Sequence, residues 1–150
     1  NTIHLTSSDG FHFSGKELVL ANSDYPDDMT THVRDPKILK DGEKYIMVLG
    51  ARSIEDKGCA LVYHSTDLSH WHYVTRIQTS EKFGFMWECP DLFKLGNQPI
   101  LSVSPQGLEK EEARYQNVFQ SGYFLVDENH GDYTVRKFEE FDYGFDFYAV

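Results

Sequence analysis

An all-β chain assembled from repeated four-stranded antiparallel units is what this sequence predicts, on three observations. The first is composition: aromatic residues make up 15% of the 150 positions, with 11 Phe, 9 Tyr and 2 Trp, and large rings suit a pleated, half-buried surface. The second is a repeated phrase. Ser7-Ser8-Asp9-Gly10-Phe11-His12-Phe13 returns as Ser65-Thr66-Asp67-Leu68-Ser69-His70-Trp71, 58 positions on (71 − 13). The third is a repeated hairpin: Ile38 to Leu49 around Asp41-Gly42, then Leu92 to Val103 around Gly96, 54 positions on (92 − 38). Four strands per unit at a period of ~50 residues mark a β-propeller.

The elements follow in order. Ile3 to Leu5 reads as a short strand, and Ser7 to Phe13 as a turn in which Ser and Asp bond nearby amides while Gly supplies positive φ. Gly15 to Thr31, holding Asp24, Asp27 and Asp28, reads as a long polar loop over a site. The Asp-Gly hairpin comes next, then strands at Cys59 to Tyr63 and His72 to Ile77. The second unit repeats this with strands at Leu92 to Leu95, Pro99 to Val103, Tyr123 to Val126 and Tyr133 to Phe138. Leu108 to Tyr115 carries Glu109-Lys110-Glu111-Glu112 and reads as a solvated loop face. The chain is expected to hold the end of one blade, one whole blade, most of the next and the first residues of another. It has no initiating Met, and both ends fall close to strand or aromatic patterns, so a piece of a longer protein is expected.

Charge narrows the partners. With 24 acids against 14 Lys and Arg the formal charge is −10, which argues against nucleic acid and anionic membranes, since both need clustered cations. No apolar run approaches the ~20 residues of a membrane span. Cys59 and Cys89 form no CxxC pair and read as free thiols. The 7 histidines show no metal-ligand spacing, and no G-x-S-x-G elbow or G-x-G-x-x-G phosphate loop occurs. No Asn-x-Ser/Thr sequon is present, which fits a bacterial cytoplasm.

Chemistry concentrates in Phe83-Gly84-Phe85-Met86-Trp87-Glu88-Cys89-Pro90-Asp91-Leu92-Phe93. A carboxyl among Phe85, Met86 and Trp87 loses hydration, so the pKa of Glu88 is expected to rise, as suits a general acid. A buried structural acid at a strand start is the competing reading. Arg34-Asp35-Pro36 and Asp142-Tyr143-Gly144-Phe145-Asp146 are the corresponding acid-bearing phrases of the other units. The acids are expected just before each first strand, where blade symmetry makes Asp35 and Glu88, 53 positions apart (88 − 35), neighbours at one end of the central channel. Arg34 is expected to hold Asp35 ionised while Glu88 stays protonated. Carboxyls with opposed environments are what glycoside hydrolysis requires. A structural ion pair at Arg34-Asp35, and turn or inter-blade roles for Asp91 and Asp146, are the alternatives.

At these residues the sequence resembles glycoside hydrolase family thirty-two, the invertase, sucrose-6-phosphate hydrolase and fructanase family. His32-Val33-Arg34-Asp35-Pro36-Lys37, Met86-Trp87-Glu88-Cys89-Pro90-Asp91 and Asp142 to Ala149 are similar to its successive motifs, in order and spacing. Met47 to Ala51, Ser104 to Leu108 and Gln116 to Tyr123 are similar to bacterial sucrose-6-phosphate hydrolases. The resemblance implies a partial five-bladed propeller. It implies retaining hydrolysis of β-fructofuranosyl bonds in sucrose, sucrose 6-phosphate or a fructan, the Ser-Pro-Gln-Gly and Met-Trp-Glu-Cys-Pro phrasing leaning toward the first two, with no metal or organic cofactor. Carried over by motif, Glu88 is the acid/base and Asp35 the transition-state stabiliser, positioned by Arg34, while Asp142 contacts substrate. Cys89 tunes the polarity around Glu88. The family's aspartate nucleophile lies in a W-x-N-D-P-N-G motif that these residues lack. The nucleophile blade and the usual C-terminal β-sandwich are therefore expected to be absent, and residues 1–150 inactive alone and prone to self-association through open blade faces. An arabinan-cleaving propeller glycosidase and a non-catalytic sugar- or protein-binding propeller are the rival readings.

Overall fold

The computed structural model describes residues 1–144 and 146–150; Phe145, inside the third acid-bearing phrase, lies outside the described residues. β1 (Thr2–His4) pairs antiparallel with β2 (Glu17–Leu20). A four-stranded antiparallel meander follows, made of β3 (Met29–Asp41), β4 (Lys44–Ser53), β5 (Gly58–Ser65) and β6 (His72–Ile77). A second meander contains β7 (Met86–Leu95), β8 (Gln98–Gln106), β9 (Gly122–Asn129) and β10 (Asp132–Glu140). These are the predicted blades, and no helix forms over Leu108 to Tyr115. Two expectations need correction. The second blade is complete in its four strands, and Gly15 to Thr31 is no plain loop. Its Leu18-Val19-Leu20 run pairs as β2 and buries Leu20, and Asn22–Asp24 then makes one 3-10 turn in which the Asp24 carboxylate accepts the Ala21 amide at 2.7 Å.

The repeated turn phrase forms the same hydrogen bonds twice. Ser7 Oγ accepts the amides of Asp9 and Gly10 (3.3 and 2.8 Å), and Asp9 Oδ1 those of Phe11 and His12 (2.9 Å each). Ser65 and Asp67 repeat this at 3.1, 2.9, 2.9 and 2.8 Å. The Ser and Asp side chains close a turn that the backbone alone cannot satisfy.

β4 explains the register of the whole. Alternate residues of a strand point to opposite faces, and here both faces are covered. Met47, Leu49 and Ala51 pack with Leu20, Tyr25 and Val33, while Ile46 and Val48 pack with Trp87, Leu101 and Phe124 of the second blade. That is why Ile46 to Ala51 reads as an unbroken apolar run rather than an alternating one. Trp87 is the wedge between blades. It is fully buried, and its indole N–H donates to the Phe83 carbonyl at 2.8 Å. Two glycines admit it: a Cβ on Gly50 would stand 2.1 Å from the Trp87 carbonyl oxygen, and one on Gly58 would stand 2.4 Å from Trp87 Cδ1. The blades approach this closely only because β4 and β5 carry no side chain at those points.

Gly50→Ala is therefore expected to destabilise the fold by about 1–3 kcal/mol, the usual cost of overpacking, because the carbonyl it meets belongs to a strand that cannot yield locally. Urea unfolding followed by Trp fluorescence measures this, and an unchanged midpoint would show that the blades are not packed as described.

Candidate active site

The site begins with two bulges. In β3 the register runs from Arg34 opposite Gly50 to Lys37 opposite Val48; in β7 it runs from Glu88 opposite Ser104 to Asp91 opposite Ser102. Two residues on each inner strand thus face one on its partner, which is a bulge. Every pair of matching positions is 54 apart (88 − 34, 91 − 37, 104 − 50, 102 − 48). The expectation that the acids precede the first strands is corrected here. They lie inside β3 and β7, and the offset is 54 rather than 53, so Arg34 corresponds to Glu88 and Asp35 to Cys89. Asp35 (φ 57°) and Cys89 (φ 48°) both occupy the left-handed region, and each precedes a proline. Neither feature suits such residues. A proline disfavours helical conformations in the residue before it, and strain of about 1–3 kcal/mol at such positions clusters at functional sites.

Each bulge reaches across to the other. The Cys89 amide, freed from the ladder by the bulge, donates to Asp35 Oδ2 at 3.0 Å, and the Cys89 thiol donates to the same oxygen at 3.9 Å. Arg34 donates through Nε and Nη2 to Glu88 Oε1, at 3.0 and 2.7 Å. Because both bonds converge on one oxygen, Glu88 Oε2 is left to accept from Gln106 Nε2 at 2.6 Å and from the Tyr148 hydroxyl. Arg34 Nη1 lies 2.9 Å from His32 Nδ1. A guanidinium only donates, so Nδ1 is the acceptor of this bond. His32, Arg34, Glu88, Gln106 and Tyr148 thus form one hydrogen-bonded cluster, and Asp35 with Cys89 forms a second beside it.

The electrostatics reverse one expectation. Burial is the largest influence on Glu88 and pushes its pKa up, as its aromatic neighbours predict. Hydrogen bonds from Tyr148, Arg34 and Gln106, with the Arg34 charge, outweigh it and hold the carboxyl below its ordinary value of 4.5. The unliganded Glu88 is thus a carboxylate, and the cation expected to serve Asp35 serves Glu88 instead. Adjacency in sequence misleads here, because the bulge sends both side chains across to β7, where Arg34 meets Glu88 and Asp35 meets the Cys89 amide. Burial, then the Asp35 and Glu88 charges, push the Cys89 thiol up, so it is a protonated donor and no nucleophile. Tyr148 is raised to about 12 by burial and by donating to Glu88, which keeps its proton in place.

Not every expected residue joins the cluster. Asp142 is exposed, and its Oδ1 accepts the Gly144 amide at 2.6 Å; among the described residues no hydrogen bond ties it to Glu88 or Asp35. Asp91 takes the inter-blade role expected of it, pairing with Lys37 of β3, Oδ2 to Nζ 3.1 Å. Sequence reasoning missed Tyr148 and Gln106, since no local pattern marks either as a partner of Glu88. Tyr148 arrives with a segment pinned by the Ala149 amide on Ser121 Oγ (3.0 Å) and by its own ring against Phe119 (5.2 Å). A 240 Å³ cavity between the blades sits at the far, hairpin end among Leu39, Ile46, Leu92 and Tyr133; it is a gap in the inter-blade core and holds none of the site acids.

Two carboxyls thus stand on neighbouring strands, Glu88 held by a cation of β3 and Asp35 by a backbone amide of β7. Residues 2–150 match the family model for the N-terminal domain of glycosyl hydrolases family 32. The chain belongs to that family. It is 43% identical to a sucrose-6-phosphate hydrolase of Bacillus subtilis (strain 168), a match covering 95% of this chain and 31% of that protein. It is 40% identical to a raffinose invertase of Escherichia coli, over 96% of this chain and 30% of that protein. Among solved structures, a mutant GH32 β-fructofuranosidase of Bombyx mori in complex with sucrose superposes with a TM-score of 0.84 at 37% identity, covering 98% of this chain and 32% of that one. The sucrose-6-phosphate hydrolase of Lactobacillus gasseri gives 0.84 at 30% identity, over 98% of this chain and 31% of that one. The chain thus spans about a third of the length of these relatives. No helix among the described residues is long and apolar enough to cross a membrane.

Replacing Arg34 by Met is expected to raise the pKa of Glu88, since the opposing cation is gone while burial stays. The depressed pKa also has a consequence for stability. A group whose folded pKa lies below its unfolded one stabilises the fold above the unfolded value, and that stability is lost as pH falls through the folded one; Arg34→Met flattens this acid-side loss. Carboxyl carbon NMR titration checks it directly, and a wild-type Glu88 titrating above 4.5 contradicts the geometry.

Proposed function

We propose that these residues supply part of the active site of a retaining β-fructofuranosidase, which in the full-length protein cleaves sucrose or sucrose 6-phosphate. The observation that carries this is that two equivalent bulges bring two carboxyls onto neighbouring strands, Glu88 held by Arg34 of β3 and Asp35 held by the Cys89 amide of β7. The printed names of the relatives support the substrate class. A bacterial cytoplasmic setting belongs to the same reading and rests on the bacterial relatives.

Glu88 is the acid/base and protonates the leaving glycosidic oxygen. Asp35 lies beside the developing oxocarbenium and accepts fructosyl hydroxyls. Its Oδ2 is committed to Cys89, and Oδ1 takes no hydrogen bond from the described residues, so it is the oxygen offered to the sugar. Arg34, Gln106 and Tyr148 hold Glu88. The resting carboxylate must gain a proton before the first step, and a bound sugar promotes this by expelling water and adding to the burial that already raises the pKa. Asp142 is assigned a substrate contact on its motif alone. No W-x-N-D-P-N-G motif occurs in residues 1–150, so the nucleophilic aspartate comes from elsewhere in the whole protein.

In the full-length protein, Glu88→Gln is expected to cut kcat for sucrose by about 10²–10⁴ with a small change in KM, the range for a lost general acid. Asp35→Asn is expected to cut kcat/KM comparably. Fructose release measures both. A non-catalytic sugar-binding propeller would instead retain full ligand binding and function after Glu88→Gln.

A further inference from the structure

We propose that Lys37 and Asp91 are positioning residues for Glu88, forming the second rung of an ion-pair ladder whose first rung is Arg34–Glu88; this deepens the fructosidase reading and rests on it. Three observations combine. Lys37 occupies in β3 the position that Asp91 occupies in β7, 54 residues on, just as Arg34 matches Glu88. Residues three apart on a regular strand face opposite sides. The bulge inserts one residue, so Arg34 and Lys37 stand opposite Gly50 and Val48, two apart, and share a face; Glu88 and Asp91, opposite Ser104 and Ser102, do the same. Both rungs are closed, at 2.7 Å for Arg34–Glu88 and 3.1 Å for Lys37–Asp91.

The rungs bracket the strained segment. Asp35-Pro36 lies between Arg34 and Lys37, and Cys89-Pro90 between Glu88 and Asp91, so each bulge is tied to the other at both ends. The charges also set the pairing: β3 offers two cations where β7 offers two anions, and sliding one strand past the other would break both attractions. Lys37 and Asp91 side chains are 57% and 30% exposed, against 36% and 16% for Arg34 and Glu88. So exposed a pair adds little to global stability. What it does is fix the distance between the bulges, and small errors there are costly because catalysis depends on placement of reacting groups.

The test uses the full-length enzyme with Lys37→Met, Asp91→Asn, the double variant, and the conservative Lys37→Arg and Asp91→Glu. Each charge-removing single variant is expected to lower kcat about tenfold with KM within about threefold, to shift the Glu88 limb of the pH profile, and to move Tm by no more than about 3 °C. The double variant is expected to be no worse than either single one, since one pair is lost in all three, and the conservative variants are expected to stay within about threefold of wild type. Wild-type kcat and pH profile in the single variants, or losses that multiply in the double, overturn the proposal while leaving the fructosidase reading intact. Activity surviving in Glu88→Gln overturns both.

Discussion

Arg34 on one inner strand donates twice to Glu88 on the next, and the rest of the site is arranged around that crossing. The pair forms because a bulge turns Arg34 away from its own neighbour Asp35 and toward the adjacent blade. Asp35 then reaches across in the same direction to take the Cys89 amide that the second bulge sets free. Each bulge supplies what the other lacks. One side lends a cation to an acid, and the other lends a carboxylate to an orphan amide, whose burial unpaired would carry a penalty.

Such mutual support costs strain. Two non-glycine residues sit at positive φ directly before prolines, and only firm surroundings hold them there. Those surroundings are the inter-blade core, in which Trp87, one residue before Glu88, is sealed against Gly50 and Gly58. β4 contributes to both cores, so the strand that pairs with Arg34 through Gly50 is itself fixed on two faces. The position of the acid group is thus a consequence of packing several residues away.

Much of this is legible in the sequence. The 58- and 54-residue echoes locate the turn phrases and both hairpins, and the aromatic run around Glu88 marks the site. β2 is hidden because Leu18-Val19-Leu20 is too short a run to stand out in a polar stretch. Site wiring is harder to read, for a definite reason. Arg34-Asp35 looks like an adjacent ion pair, and nothing in a linear sequence shows that an extra residue in the strand aims the two side chains at different partners. The raised pKa expected of Glu88 follows from its apolar neighbours and leaves out Tyr148 and Gln106, which lie 60 and 18 residues away. Burial acts as the local sequence implies, but the hydrogen bonds opposing it are tertiary.

A crystal structure of the full-length protein bearing Glu88→Gln, with sucrose bound, tests the central claim most directly. The carboxylate of Asp35 is predicted to accept hydroxyls of the fructosyl ring. The side-chain amide introduced at position 88, still held by Arg34 or Tyr148, is predicted to lie within hydrogen-bond reach of the glycosidic oxygen, about 2.6–3.2 Å. A sugar bound with Asp35 and position 88 on different walls, or Arg34 turned back onto Asp35, would contradict it.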